Sequence, residues 1–366
     1  MYYEKRKFEM RYYFAPMEGI TLYPLRNTHR KMFGETIDKY YTPFLTAHHN
    51  LHFKKREKKD ALPENIDIAA FDDYAHQIVP QIMANKPETF IWAAKEMAAL
   101  GYREVNLNLG CPAATVTNSH KGSGLLQDTD YLDELLYGIF EGLKDEPIDI
   151  SLKTRLGFSD EAEAEQLMKI YAGYPVKELT IHARVREDFY KGEPRLEAFD
   201  NAVMIYRADG GRAKICYNGN VTGNILSDVP VTNKDESYSE NENNTDWMKG
   251  RDVVMSRFSD LRCYNEISAI MLGRGILSNP ALARELSGGS RLTASELKEY
   301  LTLLYEGYET YIPEERNVIF KLLEHWAFLG YHFENSEKYI KAIRKARSKG
   351  EYMAAVNNIF SSCRFI

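Results

Sequence analysis

The sequence predicts an α/β fold, a (β/α)8 barrel followed by a small all-helical C-terminal domain, and three observations lead there. Eight short apolar runs recur between residues 12 and 272, with helical stretches between them. The runs end in Gly, Asn, His or Lys in place of further apolar residues, as strands do where a closed parallel barrel opens onto its working face. After Gly288-Gly289 the pattern becomes helical only.

In chain order, Tyr12-Tyr13-Phe14-Ala15 is a strand that runs into Pro16-Met17-Glu18-Gly19. The helix over 24–33 opens on a proline, whose fixed φ suits a first helical turn. Strands follow at 38–42 and 77–82, and Pro87 opens a helix that stops before Gly101. The fourth strand is 103–109, the fifth 148–153, and a helix around 162–171 leads to the sixth at 178–182. Strands at 214–218 and 268–272 complete the eight. Helices at 293–311, 314–331, 337–349 and a last one from Tyr352 make the C-terminal part. The division expected is a barrel over 1–288 and a helical domain over 289–366, with an insertion at about 228–246. That insertion carries six carboxylates against Lys234 and reads as a solvated surface loop.

Composition narrows the function classes. With 366 residues, 44% hydrophobic and 27% charged, the chain can bury a full core. No apolar stretch is long enough for a signal peptide or a membrane span, so the expectation is a cytoplasmic protein without membrane attachment; a monomer is expected. The four cysteines, Cys111, Cys216, Cys263 and Cys363, form no Cys-x-x-Cys pair, which argues against a disulfide framework or a cysteine zinc site. A net charge of −6 argues against indiscriminate nucleic-acid binding but leaves room for a local basic face.

The stretch Val105-Asn106-Leu107-Asn108-Leu109-Gly110-Cys111-Pro112 is the most informative. Period-two alternation puts Asn106 and Asn108 on one face, and Cys111 stands at the carboxyl end of the strand, where parallel barrels do chemistry. A buried packing cysteine is the competing reading. The same carboxyl face collects Met17, Gln81, Asn108, Lys153, His182, Asn218 and Gly273. Asn218-Gly219-Asn220 and Gly273-Arg274-Gly275, after the seventh and eighth strands, sit where such barrels commonly bind phosphate, since glycines admit backbone N–H groups to an anion and arginine can fork onto it. FMN would satisfy that site, with Lys153 and His182 beside its ring; a solvent-facing lysine and a core histidine are the alternatives.

His48, His49 and His52 lack a Glu or Cys at metal-ligand spacing and are followed by Lys54, Lys55, Arg56, Lys58 and Lys59, so no metal is expected. Lys121-Gly122-Ser123-Gly124 lacks a dinucleotide fingerprint and reads as a flexible loop beside Cys111. On the helix at 337–349, Lys338, Lys341, Lys345 and Lys349 share a face, with Arg344 and Arg347 near it. That stripe is either a solvated face or a phosphate-binding one.

Taken together, the motifs resemble the FMN-dependent tRNA-dihydrouridine synthases. The matching pieces are Ala15-Pro16-Met17-Glu18-Gly19-Ile20-Thr21, Pro80-Gln81-Ile82, Asn108-Leu109-Gly110-Cys111-Pro112, Lys121-Gly122-Ser123-Gly124-Leu125-Leu126, Lys153-Thr154-Arg155-Leu156-Gly157, Ile181-His182-Ala183-Arg184, Asn218-Gly219-Asn220 and Met271-Leu272-Gly273-Arg274-Gly275, in the family's order. The chain departs from the family at Asn220, usually acidic, and at Ala281, often aromatic. The resemblance implies a flavin-binding barrel with a helical domain that binds tRNA, reducing the 5,6 double bond of uridine with NADPH as transient reductant. It implies Pro16, Met17, Glu18, Gln81, Lys153, His182, Asn218, Gly219, Asn220, Gly273 and Arg274 as cofactor contacts. Cys111 becomes the proton donor, and Asn108 and Arg184 the uracil contacts. Two alternatives stand beside it: an FMN-barrel oxidoreductase for a small substrate, which leaves the basic helix unexplained, and a non-catalytic tRNA-binding homologue, which leaves Cys111 unexplained.

Overall fold

The computed structural model describes residues 10–62, 65, 77–221 and 258–366. The acidic stretch at 228–246 lies outside the described residues. Ten parallel strand segments make the sheet: β1 (Arg11–Phe14), β2 (Lys39–Tyr41), β3 (Leu45–Thr46), β4 (Ile78–Val79), β5 (Gln81–Met83), β6 (Glu104–Asn108), β7 (Asp149–Gly157), β8 (Glu178–Val185), β9 (Lys214–Asn218) and β10 (Ile267–Leu272). They occupy eight positions, because β2 with β3 and β4 with β5 are each one strand interrupted. Pro80, with no N–H to donate, separates β4 from β5. β2 pairs with β4, β3 with β5, and β5 with β6, so the order from β6 through β10, β1 and β2 returns on itself and the barrel closes. Two strands run past the lengths the sequence suggests. β7 continues to Gly157 and β8 to Val185, so Lys153 and His182 lie within strands, where they face inward.

Alternation decides what fills the barrel. Tyr13, Ala15, Tyr41, Val79, Cys216, Ala269 and Met271 form a separate apolar cluster in the lumen, while their strand neighbours, Tyr12, Phe14, Tyr40, Ile270 and Leu272 among them, belong to the larger core under the helices. At the amino end three first residues of strands meet. Lys39 Nζ lies 2.8 Å from Glu104 Oε2 and 3.4 Å from Glu178 Oε1. The hydroxyls of Tyr13 and Tyr41 donate to the two oxygens of Glu178 at 2.6 and 2.9 Å. This satisfied plug closes the amino end of the barrel and leaves the carboxyl strand ends as its open face.

The connecting helices are α1 (Tyr23–Phe33), α2 (Lys55–Lys59), α3 (Pro87–Ala99), α4 (Ala114–Thr117), α5 (Thr129–Leu143), α6 (Ala164–Ala172), α7 (Leu196–Ala208), α8 (Arg274–Ser278) and α9 (Leu282–Leu286). Four more follow: α10 (Ala294–Tyr311), α11 (Glu315–Leu329), α12 (Glu337–Lys345) and α13 (Lys349–Ser362). Thr293 and Glu296 form a reciprocal capping box that starts α10. This helix packs on α1: Tyr23 meets Tyr311 edge-on at 5.3 Å, and Phe33 meets Tyr300 at 5.9 Å. Gly307 permits the approach, since a Cβ there would lie 3.4 Å from Pro24 Cβ.

The expected helix over 337–349 is two helices. It breaks at Ala346, whose ψ of 139° is not helical, and Ser348 then caps α13 by accepting the N–H of Glu351. Lys349 is therefore the first residue of α13, not the last of the stripe, and its ammonium pairs with Glu309 at 2.8 Å. Lys338, Lys341 and Lys345 remain exposed on α12, opposite the buried Ile343.

Removing the cation of the plug should be costly. Lys39→Met leaves Glu104 and Glu178 buried without it, an expected loss of about 3–5 kcal/mol. Burial already raises the Glu104 pKa, against the lowering by Lys39. Without Lys39 the charged carboxylates oppose folding, so the deficit should be largest near pH 8 and shrink as the pH falls and they protonate. Denaturant melts at pH 8 and pH 5 check this; a deficit equal at both values would mean that packing, not charge, is lost.

Candidate active site

Cys111 leaves the barrel three residues beyond β6 on a turn held by its own strand. The Asn108 Oδ1 accepts the N–H of Gly110 at 3.0 Å and of Cys111 at 2.9 Å. Because backbone N–H groups only donate, this fixes the carboxamide orientation, and Asn108 Nδ2 must donate onward, to Gln81 Oε1 at 2.7 Å. Gln81 Nε2 then donates to Asn106 Oδ1 at 2.8 Å, and Asn106 Nδ2 to Ser151 Oγ at 3.0 Å. One buried chain of amides thus runs across β5, β6 and β7 and ends at the backbone of Cys111. Asn108 keeps one N–H free of these bonds, while both lone pairs of its Oδ1 are taken.

From the other side, the N–H and hydroxyl of Ser123 both donate to the Cys111 carbonyl, at 3.1 and 2.8 Å. The turn carrying Ser123 is not the flexible loop the sequence suggests: residues 122–126 are buried. Gly122 has φ +56°, and a Cβ there would lie 2.9 Å from the Cys111 carbonyl oxygen; at Gly124 it would lie 2.7 Å from that of Thr117. The glycines serve close packing beneath Cys111. Burial raises the Cys111 thiol above its ordinary pKa, outweighing the Ala113 N–H, Arg155 and Lys153, which lower it. At neutral pH the group is therefore a thiol, able to give a proton.

Facing it is a group of cations. Lys153 Nζ donates to Asn218 Oδ1 at 3.0 Å, and Asn218 Nδ2 to the Met271 carbonyl at 2.9 Å. Burial, with Arg155 adding repulsion, lowers Lys153 to about 8. Arg155, two residues on and on the same face, donates to the carbonyls of Gly110, Val185 and Phe189 at 2.7, 2.8 and 3.0 Å, joining the Cys111 turn to the loop after β8. Arg184 donates to the carbonyls of Lys191 and Gly192 and lies 3.2 Å from His182 Nε2. A guanidinium only donates, so Nε2 accepts and His182 carries its proton on Nδ1. Burial first, then Arg155 and Lys153, lowers the His182 pKa well below its ordinary value and keeps the ring neutral.

Arg274 donates to Asn220 Oδ1 at 2.9 Å and lies over the Tyr190 ring at 5.7 Å, the same distance as Arg155. The turns after β9 and β10 approach closely: a Cβ at Gly275 would lie 2.0 Å from the Val221 carbonyl oxygen. On the opposite wall, Thr21 Oγ1 accepts the Met17 N–H at 2.8 Å and shapes the turn that carries Pro16 and Glu18. Burial raises the Glu18 pKa, partly offset by Arg56.

Gln81, Asn108, Cys111 and the four cations Lys153, Arg155, Arg184 and Arg274 line one cavity of about 1040 Å³, together with every residue proposed from the sequence as a catalytic, uracil or cofactor contact. The structure adds Phe44, Arg155, Phe189, Tyr190, Glu193 and Phe328. Arg155 carried a signal, its period-two spacing from Lys153. Tyr190 and Phe189 sit in an irregular loop, and Phe328 arrives from α11, more than fifty residues after β10, so no local pattern marks them.

A sequence model of the family described as "Dihydrouridine synthase" matches residues 13–222, which span the barrel from β1 to the turn after β9. The "Probable tRNA-dihydrouridine synthase" of Staphylococcus aureus (strain Mu50 / ATCC 700699) is 26% identical over 306 residues, covering 82% of this chain and 78% of the relative. The "Probable tRNA-dihydrouridine synthase 2" of Bacillus subtilis (strain 168) is 25% identical over 302 residues, covering 82% and 79%. The matched region holds the Cys111 turn, Lys153, His182 and the first glycine turn, and the chain belongs to the dihydrouridine synthase family, oxidoreductases that act on uridine in tRNA.

Proposed function

We propose that this chain reduces the 5,6 double bond of a tRNA uridine with FMN as resident cofactor, NADPH as reductant and Cys111 as proton donor. One observation carries the reading: a protonated thiol on a turn pinned from both sides faces, across a single cavity, a cluster of cations and two glycine turns. The residues present fit FMN. The Gly219-Asn220 and Gly273-Arg274 turns would take its phosphate, with Arg274 as the cation beside them. Gln81, Lys153 and His182, with Pro16, Met17, Glu18 and Asn218, would line its ring. The volume is at the upper end of the roughly 300–1,000 Å³ usual for small-molecule sites, room for a cofactor and a base together.

When bound, reduced FMN would supply hydride to carbon 6 of the uracil. The chain's own residues do the rest. Negative charge grows toward carbon 5 and the carbonyl oxygen, and Cys111 Sγ gives its proton to carbon 5. The remaining N–H of Asn108 and the guanidinium of Arg184 hold the uracil edge, and the surrounding positive charge stabilises the developing anion. The neutral His182 can donate from Nδ1 without adding another full charge beside Lys153 and Arg155. A uridine in folded tRNA is stacked, so it must be drawn out to reach this depth. We assign the C-terminal helices, 289–366, to holding the RNA, through Lys338, Lys341 and Lys345 on α12.

Cys111→Ala should retain FMN and its reduction by NADPH, while single-turnover oxidation of the reduced enzyme by unmodified tRNA slows by about 10²–10⁴-fold. Near-wild-type oxidation would return Cys111 to a packing role. The raised pKa has its own consequence: at pH 7 iodoacetamide should modify Cys111 more slowly than it modifies glutathione, and the rate should climb as the pH passes 9. Peptide mapping reads this out, and faster labelling than glutathione at pH 7 would mean that the thiolate is favoured and the donor assignment is lost.

A further inference from the structure

The segment after β3 has no part in the chemistry above, yet it holds the densest positive charge in the described chain. Lys54, Lys55, Arg56, Lys58 and Lys59 are five of six consecutive residues. The two nearby carboxylates do not face outward with them. Glu57, its side chain 9% exposed, accepts the Thr46 N–H at 2.8 Å. Asp60, 4% exposed, accepts the Tyr23 N–H at 2.6 Å and lies 3.6 Å from the buried Arg26. Asp60 is spent in fixing the segment to the barrel, and Glu57 both fixes it and offsets Lys54 at 3.6 Å, which leaves the exposed Lys55 and the half-buried Lys58 as its cations without an acid beside them among the described residues.

Its location matters as much as its charge. Arg56 lies 3.6 Å from Glu18, which lines the active-site cavity, and Phe44 of the same wall immediately precedes β3. Lys121, from the turn beneath Cys111, adds to the patch: burial lowers its pKa, and Lys54 is close enough to contribute repulsion. Lys59 lies over the Tyr311 ring at 5.5 Å, so the patch also borders the end of α10. Lys55 and Lys58 form no ion pair among the described residues.

We propose that this rim, centred on Lys55 and Lys58, is a second phosphate-contacting surface for the RNA substrate, on the barrel side of the cavity and separate from the α12 stripe. The proposal rests on the tRNA reading above. A base drawn into the cavity brings its flanking phosphates across the mouth, and flexible ammonium groups are the chemistry that meets a run of phosphates there. An anionic membrane surface suits the site less well, because Phe53 is packed against Trp92 at 4.6 Å and the exposed Leu51 is one apolar side chain where an interfacial anchor needs an apolar face.

The test uses full-length holoprotein and an unmodified tRNA transcript, with affinity measured from about 50 to 200 mM salt. Lys55→Glu/Lys58→Glu should weaken binding at least about tenfold at the low-salt end and lower the log–log salt slope by about two. FMN content, melting temperature and flavin reduction by NADPH should stay at wild-type values. Lys341→Glu/Lys345→Glu should lower the slope independently, and the combined variant should lose both contributions. If the glutamates disturb folding, Lys55→Gln/Lys58→Gln should still reduce the slope with the melting temperature intact. Wild-type affinity and slope in the folded rim variants, with the α12 variant impaired, would overturn the rim alone. Lost affinity at unchanged slope would also overturn it, as would loss of binding to phosphatidylserine vesicles with tRNA affinity unmoved. If wild-type protein does not bind the transcript, both the rim and the tRNA reading fall.

Discussion

The site depends on the Asn108 carboxamide. Its oxygen is committed to two backbone N–H groups of the Cys111 turn, and that commitment dictates the orientation of Gln81 and Asn106 behind it. Three neighbouring barrel strands are thereby locked in register on their inner face by side chains as well as by the sheet. A thiol on an exposed turn would ordinarily sample several positions. Here its backbone is tied on one side by Asn108, on the other by Ser123, and through the Gly110 carbonyl by Arg155. Preorganisation of this kind lets a proton donor act without first being ordered.

The second constraint is charge. Lys153, Arg155, Arg184 and Arg274 converge on the cavity of a chain whose net charge is −6. Gathering so many cations is tolerable because each has acceptors: Lys153 has Asn218, the buried Arg155 three carbonyls, the buried Arg184 two more, and the exposed Arg274 Asn220. None of those acceptors is a carboxylate, so the positive field is left for an anionic ligand. Burial, with the same field adding to it, keeps His182 neutral, and the field limits how far burial can raise Cys111. The opposite end of the barrel uses the other solution, with Lys39 offset directly by Glu104 and Glu178. One barrel thus has a neutralised end and a charged one, which matches structure at the first and binding at the second.

The C-terminal helices contribute to the site as well as to the outer surface. Phe328 of α11 reaches the cavity wall, and His332 contacts the Ser278 carbonyl just beyond the second glycine turn at 2.5 Å. Tyr308 joins α10 to the first barrel turn through the Ile20 carbonyl and to α11 through His325. Movement of these helices would therefore be felt at the mouth of the barrel, where the Met17 turn and Arg274 also stand.

The barrel and the identity of the polar strand ends are legible in the amino-acid pattern alone. Period two selects the inward face, and an Asn, Lys, His or Gln on an otherwise apolar strand shows where that face meets a ligand. Asn106, Asn108, Lys153 and His182 were legible for that reason, and Cys111 because it follows such a strand on a Gly-Pro-flanked turn. Local patterns could not show which polar groups use one another, because those bonds join strands far apart in the chain: Gln81 to Asn106, Lys153 to Asn218, Arg155 to the loop carrying Tyr190. The glycines at 122 and 124 looked like flexibility because their need is steric and the atoms they accommodate lie in another segment. The stripe at 337–349 looked continuous because charge spacing carries no record of a non-helical ψ at Ala346. In the same way, five cations after His52 were visible as charge, but the inward turn of Glu57 and Asp60 depends on contacts far along the chain, since their donors, Thr46 and Tyr23, are supplied by other elements.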